Sequence, residues 1–216
     1  MRKIYLLSLI ALFFFACNEG TSTDETLKYP FESGIVKYEN DVMGMKTKLT
    51  LYIKDYGDVE CSVSEVEMMG KKMTMRSLVK EGYLYSLSMD QKSGTKMKID
   101  PEFSTYMFDQ ELFEEKIDSL GGEKLGTEEI LGKTCQIYSM LQDGAEQKMW
   151  IWKNMLMKMS AEQNGMIMVM EAKSIEETNS FPDGIFDIPA DYNITEEAEM
   201  DMEMDSDDFG DENAEG

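Results

Sequence analysis

The chain of 216 residues contains no histidine, three cysteines, four prolines and two tryptophans. Without histidine there is no Ser-His-Asp or Cys-His nucleophile, no His general base and no His-ligated metal site. Basic residues are also scarce, with 21 Lys and Arg against 43 Asp and Glu and a formal charge of −22. Binding to nucleic-acid phosphates needs clustered Lys and Arg, so we expect no nucleic acid among the partners.

Residues 1–16 have the composition of a secretory signal peptide. Arg2 and Lys3 precede an apolar run of about a dozen residues, too short to cross a bilayer core of roughly 30 Å. The run ends in Ala16-Cys17, which resembles the bacterial lipoprotein signal, where a cysteine after a small residue is lipidated and becomes the mature N-terminus. We predict lipidation of Cys17 and attachment to a membrane through its acyl chains. The alternative is an ordinary signal peptide.

Two polar stretches flank the central part of the chain. Residues 17–28 have no apolar periodicity and are predicted to be a lipidated cysteine followed by a flexible tether. Residues 195–216 contain eleven acids and no base, half of the net charge, and are predicted to be a disordered acidic tail. Residues 29–194 between them have the length of one domain.

Two cysteines remain once Cys17 is assigned to the anchor. An exported protein resides in an oxidising compartment, so Cys61 and Cys135 are a candidate disulfide. The alternative is a pair of buried free thiols that behave as small hydrophobes. Sequence leaves both open, because it does not show whether the two Cα atoms come within the roughly 7 Å that a disulfide allows.

The apolar pattern of the central domain has a period of two. Leu49, Leu51 and Ile53 alternate with polar residues, and glycine-containing turn signals follow such stretches at intervals near ten residues. This pattern is typical of antiparallel strands with one polar face. The connections are too short for βαβ units, which favours a meander or barrel-like sheet.

One stretch, near residues 109–120, has helical spacing instead. Asp109 is a candidate N-cap, and Gly121-Gly122 is a stop signal. The segment after it, up to Leu131, is either a short turn of helix or a strand edge. The prediction is therefore a mainly β fold with one or two helices.

The second half of the chain carries an ordered set of short motifs. They read Gly132-x-x-Cys135-x-x-Tyr138, Trp150-x-Trp152 followed by Leu156-x-Lys158, and Phe186-x-x-Pro189-x-x-Tyr192. In this order they resemble the LolA/LolB-like lipoprotein-carrier superfamily, and especially uncharacterised outer-membrane lipoproteins of Bacteroidetes type. The resemblance covers roughly residues 33–194. It implies a curved antiparallel half-barrel, with helices across a concave face that holds acyl chains in the carriers.

The chain departs from the carriers in two respects. It has no basic carrier-like surface, and its own cysteine predicts a permanent anchor. These departures favour a fixed, LolB-like or ligand-binding role over a shuttle, in the outer membrane and on either its periplasmic or its exposed side.

Methionine is abundant, with 21 residues, and it recurs at alternate positions of the predicted strands. Methionine side chains fill a core, line an adaptable apolar groove, or bind Cu(I) through the thioether. Trp150 and Trp152 share one strand face and are candidates to stack on a ligand, although such a pair more often packs structurally. The candidate groove residues are Leu49, Leu51, Ile53, Met73, Met75, Tyr85, Leu87, Trp150, Trp152 and Met168.

These observations predict a membrane-anchored envelope lipoprotein that binds a hydrophobic ligand, an acyl chain or a lipoprotein, in a curved sheet. The alternative is a structural or protein-interaction module of the envelope without a small ligand, and a weaker one is copper binding by methionine. We expect no enzyme, no catalytic residue and no cofactor, since phosphate loops, nucleophile elbows and dinucleotide fingerprints are absent from the sequence.

Overall fold

The computed structural model describes residues 27–42, 45–68, 71–99, 110–142, 144–163 and 165–197. The predicted signal peptide, Cys17, Asp109 and the tail from residue 198 onward lie outside these ranges. The described residues form one sheet of twelve strands, one α-helix and one short 3-10 helix. This is the mainly β architecture that the alternating pattern predicts.

The strands follow one another closely along the chain. Their bounds are β1 Gly34–Val42, β2 Met45–Lys54, β3 Val59–Met68, β4 Lys71–Lys80, β5 Tyr83–Ser88, β6 Ser93–Lys98, β7 Glu123–Ile130, β8 Lys133–Gln142, β9 Ala145–Trp152, β10 Met155–Gln163, β11 Met166–Glu177 and β12 Asn193–Glu196. The 3-10 helix is Asp55–Gly57, between β2 and β3, and the α-helix, α1, is Gln110–Ser119, between β6 and β7.

The sheet consists of two antiparallel meanders. Strands β1 to β6 pair in chain order, as do β7 to β11, and β1 pairs with β11 to join the two into the order β12-β6-β5-β4-β3-β2-β1-β11-β10-β9-β8-β7. Only the short strand β12, which pairs with β6, is parallel among the described strands. The segment after the predicted helix is strand β7; the sequence had allowed either a short turn of helix or a strand edge there.

Helix α1 packs on one face of the sheet beside β7 and β8, and that face is called here the helix face. Phe113 packs edge-to-face on Tyr138 of β8 with ring centroids 5.2 Å apart, and the Tyr138 hydroxyl donates to Glu114 at 2.7 Å. The helix ends where Gly121 adopts a positive φ of 69° and the amide of Gly122 donates to the carbonyl of Ile117 at 2.9 Å. Glycine adopts this conformation without steric cost, which explains the stop signal.

The helix-face side chains of β1, β2 and β8 to β11 form the packed half of that face. Cross-strand pairing aligns Tyr138, Met149, Met159 and Met170 on four neighbouring strands. All four are at most 2% exposed. The buried members of the packed half are Val36, Tyr38, Leu49, Leu51, Ile53, Tyr138, Met140, Ala145, Met149, Met159, Ala161, Met168, Met170 and Ala172.

Strands β3 to β6 bury mainly the opposite face of the sheet. Cys61, Leu78 and Leu87 on that face have no exposed surface, and Arg76 is 5% exposed. The cover is a C-terminal segment, residues 178–192, that runs back over the sheet. Arg76 donates to the carbonyls of Gly184 at 3.3 Å and of Asp187, and Lys92 pairs with Asp191 at 2.6 Å.

The folded domain extends beyond both of its predicted boundaries. Lys28, assigned to the tether, is 9% exposed and forms a buried ion pair with Glu60, which also accepts a hydrogen bond of 2.7 Å from Tyr29. Gly57 permits this packing, because an added Cβ there would lie 2.6 Å from the Lys28 side chain. At the other end, residues 195 and 196, assigned to the tail, belong to β12.

Candidate ligand-binding face

The helix face of β3 to β6 is called here the open half, and most side chains in its middle are small, polar and half-buried. Cross-strand pairing aligns a row of hydroxyls from Ser62 through Ser77 and Ser86 to Thr95, one from each strand. A second row contains Ser64, Met75, Ser88 and Ser93. These serine and threonine side chains are shorter than the neighbouring methionines and tyrosines of the packed half.

Two methionines are exposed in the open half. Met73 is 40% exposed and Met75 is 42% exposed, whereas Met149, Met159 and Met170 in the middle of the packed half are at most 2% exposed; Met166, at the end of β11, is 42% exposed. Both belong to β4, at alternate positions, so their thioethers lie on the same face. The open half therefore combines apolar side chains that water reaches with a floor of hydroxyl donors and acceptors.

One end of the open half is closed by an apolar row and a buried charge pair. Val79 and Leu84 pack with Met97 and Ile99 there, beside Glu60. Burial raises the pKa of the Tyr29 phenol, so this tyrosine is a neutral donor to the Glu60 carboxylate at physiological pH. This end is a rigid wall rather than a reactive site.

The structure divides the candidate groove residues between the two faces. Leu49, Leu51, Ile53 and Met168 belong to the packed half and are at most 6% exposed, so they fill a core. Met73 and Met75 share the open half. The other four are on the opposite face: Tyr85, Leu87, Trp150 and Trp152.

The candidate site residues that the sequence pattern missed are the hydroxyls. Ser62, Ser64, Ser86 and Ser88 alternate with apolar residues, a pattern that assigns them to the polar side of their strands. In the structure their side chains lie on the helix face, and the apolar partners Cys61 and Leu87 are buried on the other side. The alternation itself was the only available signal, and it does not say which face a helix covers.

The two tryptophans are part of a polar and cationic cluster on the opposite face. The indole of Trp150 donates to Glu128 at 2.6 Å, and the ammonium of Lys158 lies 4.3 Å from its ring centroid. Lys133 lies 4.4 Å from the ring centroid of Trp152. Trp150, at 7% exposed, thus has a structural role, which agrees with the packing alternative for this pair.

Cys61 and Cys135 are buried free thiols, so the candidate disulfide is not formed. Cys61 is on β3 and Cys135 on β8, and six strand spacings separate these strands in the sheet order. At about 4.8 Å per spacing this is about 29 Å along the sheet, far beyond the reach of a disulfide. Burial raises the pKa of the Cys61 thiol to about 12 and also raises that of Cys135, which keeps both protonated.

A further depression, of about 630 Å³, lies on the opposite face near the β1–β2 and β10–β11 connections. Its walls mix the acids Glu39, Asp41 and Glu171 with Lys46 and Lys173. Across the described ranges, no group of three His, Cys, Asp or Glu side chains is placed to hold a metal ion. The helix that the structure describes is not long and apolar enough to cross a membrane.

Comparison with known proteins adds information about the fold. No protein-family model and no curated protein sequence matches the chain. An uncharacterised conserved protein from Thermus thermophilus is similar, with a TM-score of 0.53, 6% sequence identity, and coverage of 78% of this chain and 92% of that one. This likeness shows a shared fold.

Two further solved structures are similar at lower scores. PNGF-II has a TM-score of 0.48 and 14% identity, and the match covers 77% of this chain but 32% of that protein. The Mycobacterium tuberculosis lipoprotein LppX has a TM-score of 0.37 and 12% identity, with coverage of 68% and 89% respectively. These scores are too low to support an argument, and membership in the LolA/LolB-like carriers stays a prediction.

Proposed function

We propose that the protein is an outer-membrane lipoprotein, anchored at Cys17, that binds a hydrophobic ligand with a polar end on the open half of the helix face. The observation that carries the proposal is the exposure of Met73 and Met75, at 40% and 42%, beside two rows of half-buried hydroxyls. An acyl chain would contact the thioethers and a neutral polar group would contact the serines. Each buried methylene contributes about 0.8 kcal/mol, so a few suffice for measurable binding.

Binding, rather than catalysis, is what this surface supports. Serine hydroxyls are weak nucleophiles without an adjacent base, and the chain contains no histidine to activate them. Methionine adapts its shape to irregular apolar partners, which suits a surface that accepts chains of different length. We infer that the protein is not an enzyme and needs no cofactor.

The experiment compares two double variants of the full-length lipoprotein purified from membranes. In Met73→Asp/Met75→Asp the apolar contact is replaced by charge, whereas Met73→Leu/Met75→Leu keeps the apolar surface and removes sulfur. We expect the aspartate variant to weaken binding of a fluorescent fatty acid at least about tenfold, the equivalent of about 1.4 kcal/mol, and to lose copurified lipid in mass spectra. The leucine variant should bind like the parent.

The matched control is Leu141→Asp, at a side chain on β8 that is 67% exposed and outside the open half. It should leave fatty-acid binding unchanged. If the aspartate double variant binds as well as the parent and neither carries lipid, the ligand proposal is wrong. If no variant binds lipid, and the leucine variant lacks a Cu(I) binding that the parent protein shows, coordination of Cu(I) by the thioethers replaces the lipid-binding proposal.

A second candidate function, a protein-interaction module, is favoured by the free edge of the sheet. Strand β7 has β8 on one side and no strand on its other side among the described residues, and residues 123–129 are exposed. Such an edge accepts a further strand through its backbone groups. The variant Thr127→Pro should then abolish capture of a protein partner without changing fatty-acid binding.

A further inference from the structure

The first described residue lies at one end of the sheet, beside the turn that connects β9 to β10. The amide nitrogen of the Asn154 side chain donates to the carbonyl of Leu27 at 2.8 Å. Leu27 is the tenth residue after Cys17, and ten residues span at most about 35 Å. A lipid on Cys17 would therefore keep this end of the sheet close to the membrane.

The side chains at that end form a small surface of apolar, aromatic and basic groups, called here the tether-end surface. It consists of Leu27, Leu131, Lys133, Trp152 and Lys153. Leu27 is 45% exposed and Leu131 is 46% exposed. The ammonium groups of Lys133 and Lys153 lie 4.4 Å and 5.5 Å from the ring centroid of Trp152. Tryptophan with flanking lysines is the composition that settles at a membrane–water interface.

Backbone conformation supports a role for these side chains. Leu131 has a φ of 52° and is followed by Gly132 with a φ of 71°, the geometry of a tight hairpin turn in which Asn or Gly is preferred. Lys153, at the tip of the neighbouring hairpin, has a φ of 52°. A leucine held in this region is unfavourable by about 1 to 2 kcal/mol. Leu131 is not among the buried residues of the core, and 46% of its surface is exposed.

The two acids of β7 nearest to the surface are directed elsewhere. Glu128 accepts the indole hydrogen bond of Trp150 and lies 3.8 Å from Lys158. Glu129 alternates with Glu128 along β7 and therefore points to the helix face, away from Trp152. Glu196 of β12 lies nine strand spacings from β9, or about 43 Å along the sheet. That distance is several Debye lengths at physiological ionic strength.

We propose that the tether-end surface docks on a phospholipid bilayer that carries anionic headgroups. Leu27, Leu131 and Trp152 enter the boundary between headgroups and acyl chains, and Lys133 and Lys153 contact lipid phosphates. The inference rests on the anchor at Cys17 in the proposed function. Met73 is near the opposite end of β4, so docking in this orientation turns the exposed methionines away from the membrane that holds the anchor.

The test uses the chain's only two tryptophans as depth probes in the lipidated protein. The protein is reconstituted into vesicles of phosphatidylcholine with brominated acyl chains, with and without phosphatidylglycerol. Trp150→Phe leaves Trp152 as the reporter, and Trp152→Phe leaves Trp150. We expect bromolipid to quench Trp152 and not Trp150, with stronger quenching in anionic vesicles. Charge reversal in Lys133→Glu/Lys153→Glu should abolish the effect of phosphatidylglycerol.

A matched pair of turn variants separates docking from folding. Leu131→Asn and Glu81→Asn each place a favoured residue before a glycine in a turn of the same geometry, with φ values of 52° and 55° at the replaced residues. Both should raise the melting temperature. Only Leu131→Asn should reduce quenching of Trp152, because Glu81 belongs to the distant β4–β5 turn.

The outcomes distinguish this proposal from the one on which it rests. A protein that fails to float with vesicles has no lipid anchor, and the proposed function then fails at its first step. A protein that floats while Trp152 stays unquenched overturns the docking surface alone. Quenching that disappears in Met73→Asp/Met75→Asp would come from lipid bound in the open half, and this result would also overturn docking.

Discussion

The two halves of the sheet bury opposite faces. In the packed half, strands β1, β2 and β8 to β11 turn their methionines, tyrosines and branched aliphatic residues toward helix α1. In the open half, β3 to β6 turn serines and threonines to the same face and bury Cys61, Leu78 and Leu87 on the other side. The helix face of one continuous sheet is thus a filled core over the packed half and a polar, accessible surface over the open half.

This difference separates the part of the sheet that supplies most of the buried core from the surface that we propose as a ligand-binding site. A covered face contributes about 25 cal/mol for each Å² of apolar surface removed from water, whichever side of the sheet is covered. In the open half, the C-terminal segment supplies that cover on the opposite face. The core on the opposite face of β3 to β6 is therefore covered without the helix face, where the proposed ligand would bind.

The largest expected effect comes from truncating matched methionines in the two halves. Met159→Ala removes a side chain that is 2% exposed and should lower the free energy of unfolding by about 2 to 5 kcal/mol. Met75→Ala, at 42% exposed, leaves no cavity and should lower it by less than about 1 kcal/mol. Urea denaturation measures both, and equal losses would show that the two halves are packed alike.

The second prediction concerns the cover of the opposite face. Arg76→Met leaves the carbonyls of Gly184 and Asp187 without their donor, and should cost about 1.5 to 3 kcal/mol, since the lost hydrogen bonds involve a charged group. Hydrogen exchange should become faster in residues 178–192, while α1, on the helix face, keeps its protection. Faster exchange in α1 as well would mean that the two covers are not independent.

The third prediction is a loss of stability at alkaline pH. Burial raises the pKa of Tyr29, which closes the open half, and of Tyr38, which belongs to the packed half, above the ordinary value of 10.0. Above that pH the unfolded chain releases protons that the folded chain retains, so the free energy of unfolding falls as pH rises. Each tyrosine contributes about 1.4 kcal/mol per pH unit until its folded-state pKa is reached.

Single variants assign this alkaline slope to the two halves. The free energy of unfolding should fall less steeply with pH in Tyr29→Phe and in Tyr38→Phe. Between pH 10 and the folded-state pKa, each substitution should reduce the slope by about 1.4 kcal/mol per pH unit, the contribution of one tyrosine. Each variant also loses a hydrogen bond, to Glu60 or to the carbonyl of Leu156, but that loss shifts the whole curve and leaves the slope to be read separately. An unchanged slope in either variant would contradict its assignment.

The smallest expected effect is on thiol reactivity. With a pKa of about 12, Cys61 carries about a thousandfold less thiolate than an unperturbed cysteine, whose pKa is 9.0, and it lies under the C-terminal segment. A thiol-specific alkylating reagent should therefore modify Cys61 and Cys135 rapidly in urea and hardly at all in the folded protein. Arg76→Met should expose Cys61 and leave Cys135, in the other half, protected.

Much of the local structure follows from the pattern of residues. The alternation of Leu49, Leu51 and Ile53 predicts a strand, and the turn glycines predict its neighbours. The helical spacing before Gly121-Gly122 predicts α1. These features depend on contacts between residues near each other in sequence, and propensity and periodicity report such contacts directly.

The candidate site was predicted only in part, because a period of two identifies two faces without saying which one is covered. Met73 and Met75 do share one face of β4. Tyr85 and Leu87 were assigned to the same groove, but the returning C-terminal segment covers them on the other side. The serine rows were overlooked for the same reason. Nothing in the sequence of β3 indicates that a segment more than a hundred residues later packs on it.

The amino-acid sequence by itself predicted most of the described strands and helix α1, since these depend on local periodicity and turn chemistry. It also removed histidine-based catalysis and predicted an anchor at Cys17. Only the tertiary structure decided which strands became neighbours and which faces were buried. The junction of β1 with β11, the distance between Cys61 and Cys135, and the position of Leu27 beside Asn154 all depend on contacts between distant parts of the chain. Such contacts form where two surfaces exclude water together, and neither surface by itself specifies its partner.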